Sequence, residues 1–481
     1  MKNKDGSANL FVRYALLCLA LLVLTACGDN DDSVSGGDNP EEDEVEQTVY
    51  AFKILTNLNT KQPGLYNFGS DGSAELVREF DGGGAIQGEL GGITYFTATT
   101  NLEGRELWRT DGTSDGTYII KDLFSGGYAG FVGNKGIIYK NALYFQGQSN
   151  AYQATALWKF VDESTGPEFV VNTRNSNIDH ASPGQFLEYN GQLIFYSNVD
   201  DHASGTGSKV FAGLGTADND QLIDSNVTWV DGFSADFALA FKGSLYFRAS
   251  AGDYIDGGKG YVLYKSDGTP AGTQVFADIN ETLYSDSNAD IRNLVSVGDY
   301  FVFRADNAAD DNSDTVYRNT EIWASDGTQA GTRMIKDLYP GSTSISSLVS
   351  VGNTAFFVAR KEGAATVDIW RTQGTEATTK MIHSSEDSAF LYVYDDQIIA
   401  VTGNNTDGYV VSSLNSATDV FTPQHTFSSS VDKGFVLGNR YFVLTDSDNE
   451  GWNELWSYQE GDNAYTQVKI DGDYAVGVSK H

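Results

Sequence analysis

Basic residues are scarce in this chain. Lysine and arginine number 31 against 65 aspartates and glutamates, for a formal net charge of −34. Such a surface repels nucleic acid and anionic lipid, which excludes nucleic-acid binding as a function class. The excess acid suits solubility and metal cations. Cysteine is nearly missing: only Cys18 and Cys27 occur, both near the N-terminus. The rest of the fold must be held by packing and hydrogen bonds without disulfides. Histidine is rare as well. His180, His202, His383, His425 and His481 show no zinc-binding pair spacing, which argues against a histidine metal site or catalytic triad. There is no phosphate-binding glycine loop with its Lys-Ser/Thr, no dinucleotide fingerprint, and no helical apolar period.

One long apolar run is present, from Tyr14 to Leu24, after the basic residues Lys2, Lys4 and Arg13. It is too short for a stable membrane span and ends in small residues. The following Leu24-Thr25-Ala26-Cys27 resembles the lipobox of bacterial lipoproteins. That resemblance implies cleavage before Cys27 and a diacylglycerol on its thiol, with Cys18 discarded. Residues 1–26 are then a lipoprotein signal peptide. Residues 27–47 are the lipidated cysteine and a tether, which holds nine acidic residues between Gly28 and Glu46 and almost nothing apolar. A segment of that composition cannot bury enough surface to fold. Several acyl chains together give stable anchoring where one would not. Gly28 after the cysteine, and the acidic run Asp29, Asp31 and Asp32, point to the outer membrane or cell surface.

From 48 to 481 the chain reads as one strand-rich domain. Five of its seven tryptophans, Trp108, Trp158, Trp323, Trp370 and Trp456, sit at one position of a recurring phrase. The fullest copies are Glu106-Leu107-Trp108-Arg109-Thr110-Asp111-Gly112-Thr113 and Glu321-Ile322-Trp323-Ala324-Ser325-Asp326-Gly327-Thr328. Around each copy four short aromatic and β-branched segments recur, bounded by Gly, Asp and Pro, as strands with turns between them. Asn190-Gly191, Lys242-Gly243, Gly298-Asp299, Gly352-Asn353 and Gly438-Asn439 read as tight hairpin turns between first and second strands. Four antiparallel strands repeated in this way predict a β-propeller. The loop Asp is expected to accept hydrogen bonds from loop amides, and the Trp to supply packing area between neighbouring sheets. These phrases resemble the ELWxxDGT repeat proteins of bacterial secretions and surfaces, and that resemblance implies a propeller but carries no catalytic residue. Further copies have Tyr264 in the Trp position and Gln373 in the Asp position; Ala156-Leu157-Trp158 and Glu454-Leu455-Trp456 keep only the first half.

Second strands are expected at 50–55, 93–97, 142–145, 192–195, 244–248, 300–304, 354–358, 397–401 and 440–444. That makes nine blades, with eight as the alternative; the units around Ser208 and Gly408 are the weakest. Residues 474–478 are expected to close the ring as the innermost strand beside 50–55.

Candidate chemistry is thin. Asp446, Asp448 and Glu450 alternate through a loop toward Gly451, and Glu454 lies nearby, a partial match to a calcium loop that has Ser457 where a bidentate Glu is usual. A second acidic loop holds Asp306, Asn307, Asp310, Asp311, Asn312 and Asp314. No cofactor besides calcium is implied. The sequence leads to a lipid-anchored module of the cell envelope that binds protein or glycan. A polysaccharide-acting hydrolase or lyase on a propeller scaffold, and a structural envelope component, are the alternatives.

Overall fold

A computed structural model describes residues 53–474, except 55–62, 69–73, 172–182, 202–204, 214–220, 223–237, 251–260, 280–290, 307–319, 340–342, 438–439, 447–452, 460–464, 471–472 and the single positions Asn134, Tyr152, Pro270, Asp395, Asn405 and Ser429. The fold is an all-β propeller of four-stranded antiparallel blades. Eight sheets are four-stranded, with their strands hydrogen-bonded in chain order. By first and last strand they are sheet one (Ile86–Leu90 to Tyr118–Lys121), two (Ile137–Tyr139 to Pro167–Val171), three (Gly184–Tyr189 to Gln221–Leu222) and four (Ala238–Phe241 to Gln274–Ala277). Sheets five (Arg292–Val297 to Arg333–Lys336), six (Thr343–Val351 to Lys380–Glu386), seven (Ser388–Tyr394 to Val420–Phe427) and eight (Ser430–Leu437 to Thr466–Gln467) follow. No helix among the described residues is long and apolar enough to cross a membrane.

A ninth, five-stranded sheet joins the two ends of the domain. Lys53–Ile54, Gly64–Phe68 and Ala74–Glu79 are continued by Lys469–Ile470 and Asp473–Tyr474. The expected position of the C-terminal strand needs correction. The described pairing is Ala74 with Ile470, in parallel, on the outer side of the sheet rather than beside Lys53–Ile54. The chain leaves the last strand of sheet eight only two residues earlier, so the neighbouring outer edge is the one within reach. Of the expected closing strand, 475–478 lies outside the described residues.

The inner hairpins are built as the sequence suggests. Asn190-Gly191 and Lys242-Gly243 have positive φ at both turn positions, and Gly298 and Gly352 at the first only. These are the mirror-image turns whose twist matches the strands. Second strands begin at Ile93, Ala142, Gln192, Ser244, Tyr300, Thr354, Gln397 and Arg440 and extend beyond the expected ends.

The core lies between sheets. Among the described residues eight apolar clusters each join two consecutive sheets, beginning with Leu65, Val77 and Phe80 against Phe96 and Trp108. Each motif aromatic sits on the third strand, opposite an apolar residue of the second: Phe96 with Trp108, Phe145 with Trp158, Phe247 with Tyr264, Phe303 with Trp323, Phe357 with Trp370 and Val443 with Trp456. It also packs against the preceding sheet. Trp158, for example, joins Leu107 and Leu123, and Trp456 joins Val411 and Phe427. One sheet alone would leave that indole in water, and burying an aromatic of this size contributes about 2–3 kcal/mol. Tyrosines reinforce the contact at the inner end. Tyr139 donates to the Gly191 carbonyl, and Tyr189 to that of Gly243 at 3.0 Å, each in the next sheet's turn.

Candidate functional site

The repeated Asp-Gly-Thr loop connects third and fourth strands, and its bonds are internal. Asp111 Oδ1 accepts from the Thr113 amide (2.9 Å) and hydroxyl (2.7 Å), and the Thr113 hydroxyl accepts from the Gly116 amide (2.9 Å). Asp267 and Asp326 make the same bonds with Thr269 and Thr328. The Thr hydroxyl and amide hold all three carboxyls below the usual aspartate range. A pair of hydroxyls closes each loop at 2.7 Å: Thr110 with Thr117, Ser266 with Thr273, Ser325 with Thr332. These carboxylates serve the loops that carry them.

Two acids that the sequence analysis left in the motif are the most perturbed. Glu106 and Glu321, two residues before their tryptophans, are fully buried. Glu106 accepts from the Gly130 amide at 2.8 Å, and Glu321 from the Leu338 amide at 3.1 Å. Each fastens the segment that crosses to the next sheet. Burial raises Glu106 from the ordinary 4.5 to about 8 and Glu321 to about 7, against the opposing pull of the amides. Perturbed acids often mark active sites; these two face backbone amides in the core and serve the fold.

Other charged groups tie sheets together. Arg109 reaches Glu163 of sheet two at 2.7 Å, and Tyr118 donates to the same carboxylate at 2.6 Å. Arg371 and Lys380 of sheet six both meet Asp419 of sheet seven. His383 packs on Phe421, and His425 on Phe427 and Trp456; burial lowers both pKa values.

The residues named from sequence are placed as follows. Cys27, Asp448 and Glu450 lie outside the described residues, as do 307–314 of the second acidic loop. Asp446 ends the second strand of sheet eight, paired with Asn453, and Glu454 stands opposite Thr445. Asp306 is buried and accepts from the Thr320 hydroxyl at 2.8 Å. Among the described residues no three His, Cys, Asp or Glu side chains gather to hold a metal ion.

Two surface features remain. A groove of about 410 Å³ lies between sheets four and five, lined by Val275, Phe276, Asp278, Ile279, Trp323 and Gln329. The crossover from sheet five puts Tyr339 after Leu338, and its ring stands edge-on to Trp370 at 6.0 Å. The crossover from sheet four has Asn280 in the corresponding sequence position, after Ile279. The second feature is a patch on sheet one. The hairpin tip 101–104 rests on the crossover 124–130 so closely that a Cβ on Gly104 (φ +79°) would come 2.1 Å from the Tyr128 carbonyl oxygen. Leu102 is 76% exposed and Tyr128 62%, and Phe124 stacks on Tyr128 with centroids 5.0 Å apart. Asp81 accepts from the Asn101 amide at 2.7 Å, Glu103 bonds the Thr100 hydroxyl, and Asp122 is close enough to Glu103 to be raised by it, after burial, above the usual range. Nothing in the sequence period marks this patch, because hairpin tip and crossover are variable parts of the repeat.

No family model and no curated protein matches the chain. Among solved structures it is similar to a eukaryotic initiation factor (TM-score 0.48, 10% identity, 89% of this chain and 98% of that one). It is also similar to an oligogalacturonate lyase in complex with manganese (TM-score 0.38, 9% identity, 85% of this chain and 96% of that one). A prolyl endopeptidase gives a TM-score of 0.38 at 14% identity over 76% of this chain, which spans 55% of the length of that enzyme. Likenesses this distant assign no residue a role.

Proposed function

We propose that this chain is a lipid-anchored interaction module of the bacterial cell envelope. A β-propeller stands on an acidic tether fixed at Cys27 and binds a protein or glycan through the loops at one end of its sheets. The ELWxxDGT resemblance and the lipobox support this reading. The observation that carries it is the division of labour on the surface. The repeated acids serve loop and crossover amides, while Leu102 and Tyr128 are exposed on a rigid support, with the half-buried Phe124 stacked under Tyr128. Expression in a bacterium with a labelled fatty acid tests the anchor: label on the wild type and none on Cys27→Ala, which should leave the membrane fraction, is the expected result. Equal labelling of both would overturn it. Turnover of envelope polysaccharides by the purified chain would replace the binding role with catalysis.

Two finer readings belong with it. One blade per hydrogen-bonded sheet gives nine, against the roughly four to eight usual in propellers. A density map viewed down the ring axis tests the count; a ring of seven, with two sheets outside it, overturns one blade per sheet. Calcium held by Asp446, Asp448, Glu450 and Glu454 is expected to raise the melting temperature at millimolar concentration. Calorimetry with and without chelator checks this, and equal midpoints would end the idea.

A further inference from the structure

We infer that the patch of Leu102, Phe124 and Tyr128 receives a basic segment of a partner polypeptide, with a lysine or arginine over the Phe124–Tyr128 stack. This deepens the interaction-module reading and rests on it. Leu102 and Tyr128 are two of the most exposed large apolar side chains described, and they adjoin through the hairpin tip. The aromatic pair is not needed to hold neighbouring sheets. In the crossover from sheet five the corresponding Tyr339 turns inward to Trp370, whereas Phe124 turns to Tyr128, a residue of the Gly126-Gly127-Tyr128 stretch. Gly126 and Gly127 both hold positive φ, so the support is a shaped turn.

Charge decides the occupant. Asp81, Glu103 and Asp122 surround the patch, and among the described residues none of them is paired with a cation. Asp122 Oδ1 is buried with no hydrogen-bond partner in the protein. An ammonium or guanidinium at the patch would relieve the repulsion between Asp122 and Glu103 and meet the negative faces of the stacked rings. A neutral sugar could donate a hydroxyl but would leave the carboxylate charges uncompensated. Anionic partners are repelled by the same acids and by the net charge of −34.

The test is a titration of the full chain, solubilised in a neutral detergent, with a short labelled lysine- and arginine-rich glycine peptide at physiological salt. Tyr128→Ala should weaken binding about fivefold, the size of a single exposed cation–π contact. The double variant Glu103→Gln, Asp122→Asn should weaken it by about tenfold or more. Glu362→Gln, an exposed acid of sheet six, should change nothing. Tyr128 is exposed, so its variant should keep the wild-type melting temperature, which separates lost binding from lost fold. Affinity that ignores Tyr128, or that falls equally with Glu362→Gln, would reduce the effect to bulk charge and overturn the inference. A neutral oligosaccharide such as cellohexaose, binding in a Tyr128-dependent way where the peptide does not, would also overturn it while leaving the interaction module standing.

Discussion

Sheets five and six are neighbours, and they settle the same loop in two ways. In sheet five Asp326 takes the Thr328 amide and hydroxyl, and a Cβ on Gly331 would lie 2.1 Å from its Oδ1. In sheet six Gln373 stands in the Asp position and Thr378 in the Gly position. The Thr378 hydroxyl now accepts from the Gln373 amide at 3.1 Å and the Thr375 amide at 3.3 Å, within a short turn of 3₁₀ helix at Glu376–Thr378. Both loops keep the closing pair of hydroxyls at 2.7 Å. Asp and Gly are therefore one device, because the carboxylate occupies the space a side chain would need. When the Asp is lost, that space admits a threonine that does the same work. The repeat preserves satisfied loop amides. A carboxylate kept for a ligand could not be exchanged in this way.

The largest expected difference between the two sheets lies in their tryptophans. Trp370 is buried and its Nε1 donates to Tyr339 at 3.3 Å; Trp323 borders the open groove. Trp370→Ala should cost about 3–5 kcal/mol and Trp323→Ala about 2 kcal/mol, read from denaturant unfolding. Equal losses would mean that the groove is closed in solution.

The buried acids come next. Below the ordinary 4.5, Glu321 is protonated in both states and its contribution is constant. Between 4.5 and about 7 the unfolded chain releases the proton while the folded chain keeps it, so stability falls as pH rises; above about 7 the loss is complete. A shift of that size is worth about 3 kcal/mol. Glu321→Gln should flatten stability across this window, and Glu106→Gln across the wider one that ends near 8. A wild-type slope retained in both variants would refute burial as the cause.

The loop exchange itself can be rebuilt. Gly331→Thr alone should cost about 2 kcal/mol through the clash with Asp326. Adding Asp326→Gln, which recreates the sheet-six pairing, should recover about 1 kcal/mol or more as coupling in a double-mutant cycle. Strict additivity would show that Asp and Gly act separately.

The architecture was legible from sequence where the period is strong. Glycine-bearing turn pairs with an aromatic soon after them located the second strands that begin at Gln192, Ser244, Tyr300 and Thr354. Sheet three lacks the tryptophan but keeps an aromatic pair at the same place, Phe195–Phe211, whereas sheet seven has Ala400–Ser412 there and was found from its strand pattern alone. A copy in the terminal sheet was missed: Leu65-Tyr66, with Asp71-Gly72-Ser73 after it, has Tyr66 for the tryptophan and the same register shift before it. The buried glutamates had a usable signal. A residue two positions before a buried tryptophan on one strand points to the same face, so Glu106 and Glu321 had to enter the core. The exposed patch had none, because Leu102 lies on a hairpin tip and Tyr128 on a crossover turn, both of which vary from unit to unit.

The smallest expected effect bears on how each sheet treats its indole N–H. In sheet six the Tyr339 hydroxyl donates to the Asp368 carboxylate and accepts from Trp370. Burial, and then Asp368, push that phenol above its ordinary range, so it is a neutral donor at any working pH. Trp323 Nε1 in sheet five is buried with no hydrogen-bond partner in the protein, and that sheet is nonetheless formed. Tyr339→Phe keeps the ring against Trp370 and removes both bonds, giving sheet six the condition of sheet five. The loss should be about 1 kcal/mol, the net worth of such a bond, and far below that of Trp370→Ala. Because the ring stays, the tryptophan emission maximum should hardly move. A loss close to that of Trp370→Ala would place the stabilisation of sheet six in the polar link; no loss would show that both sheets stand on ring packing alone.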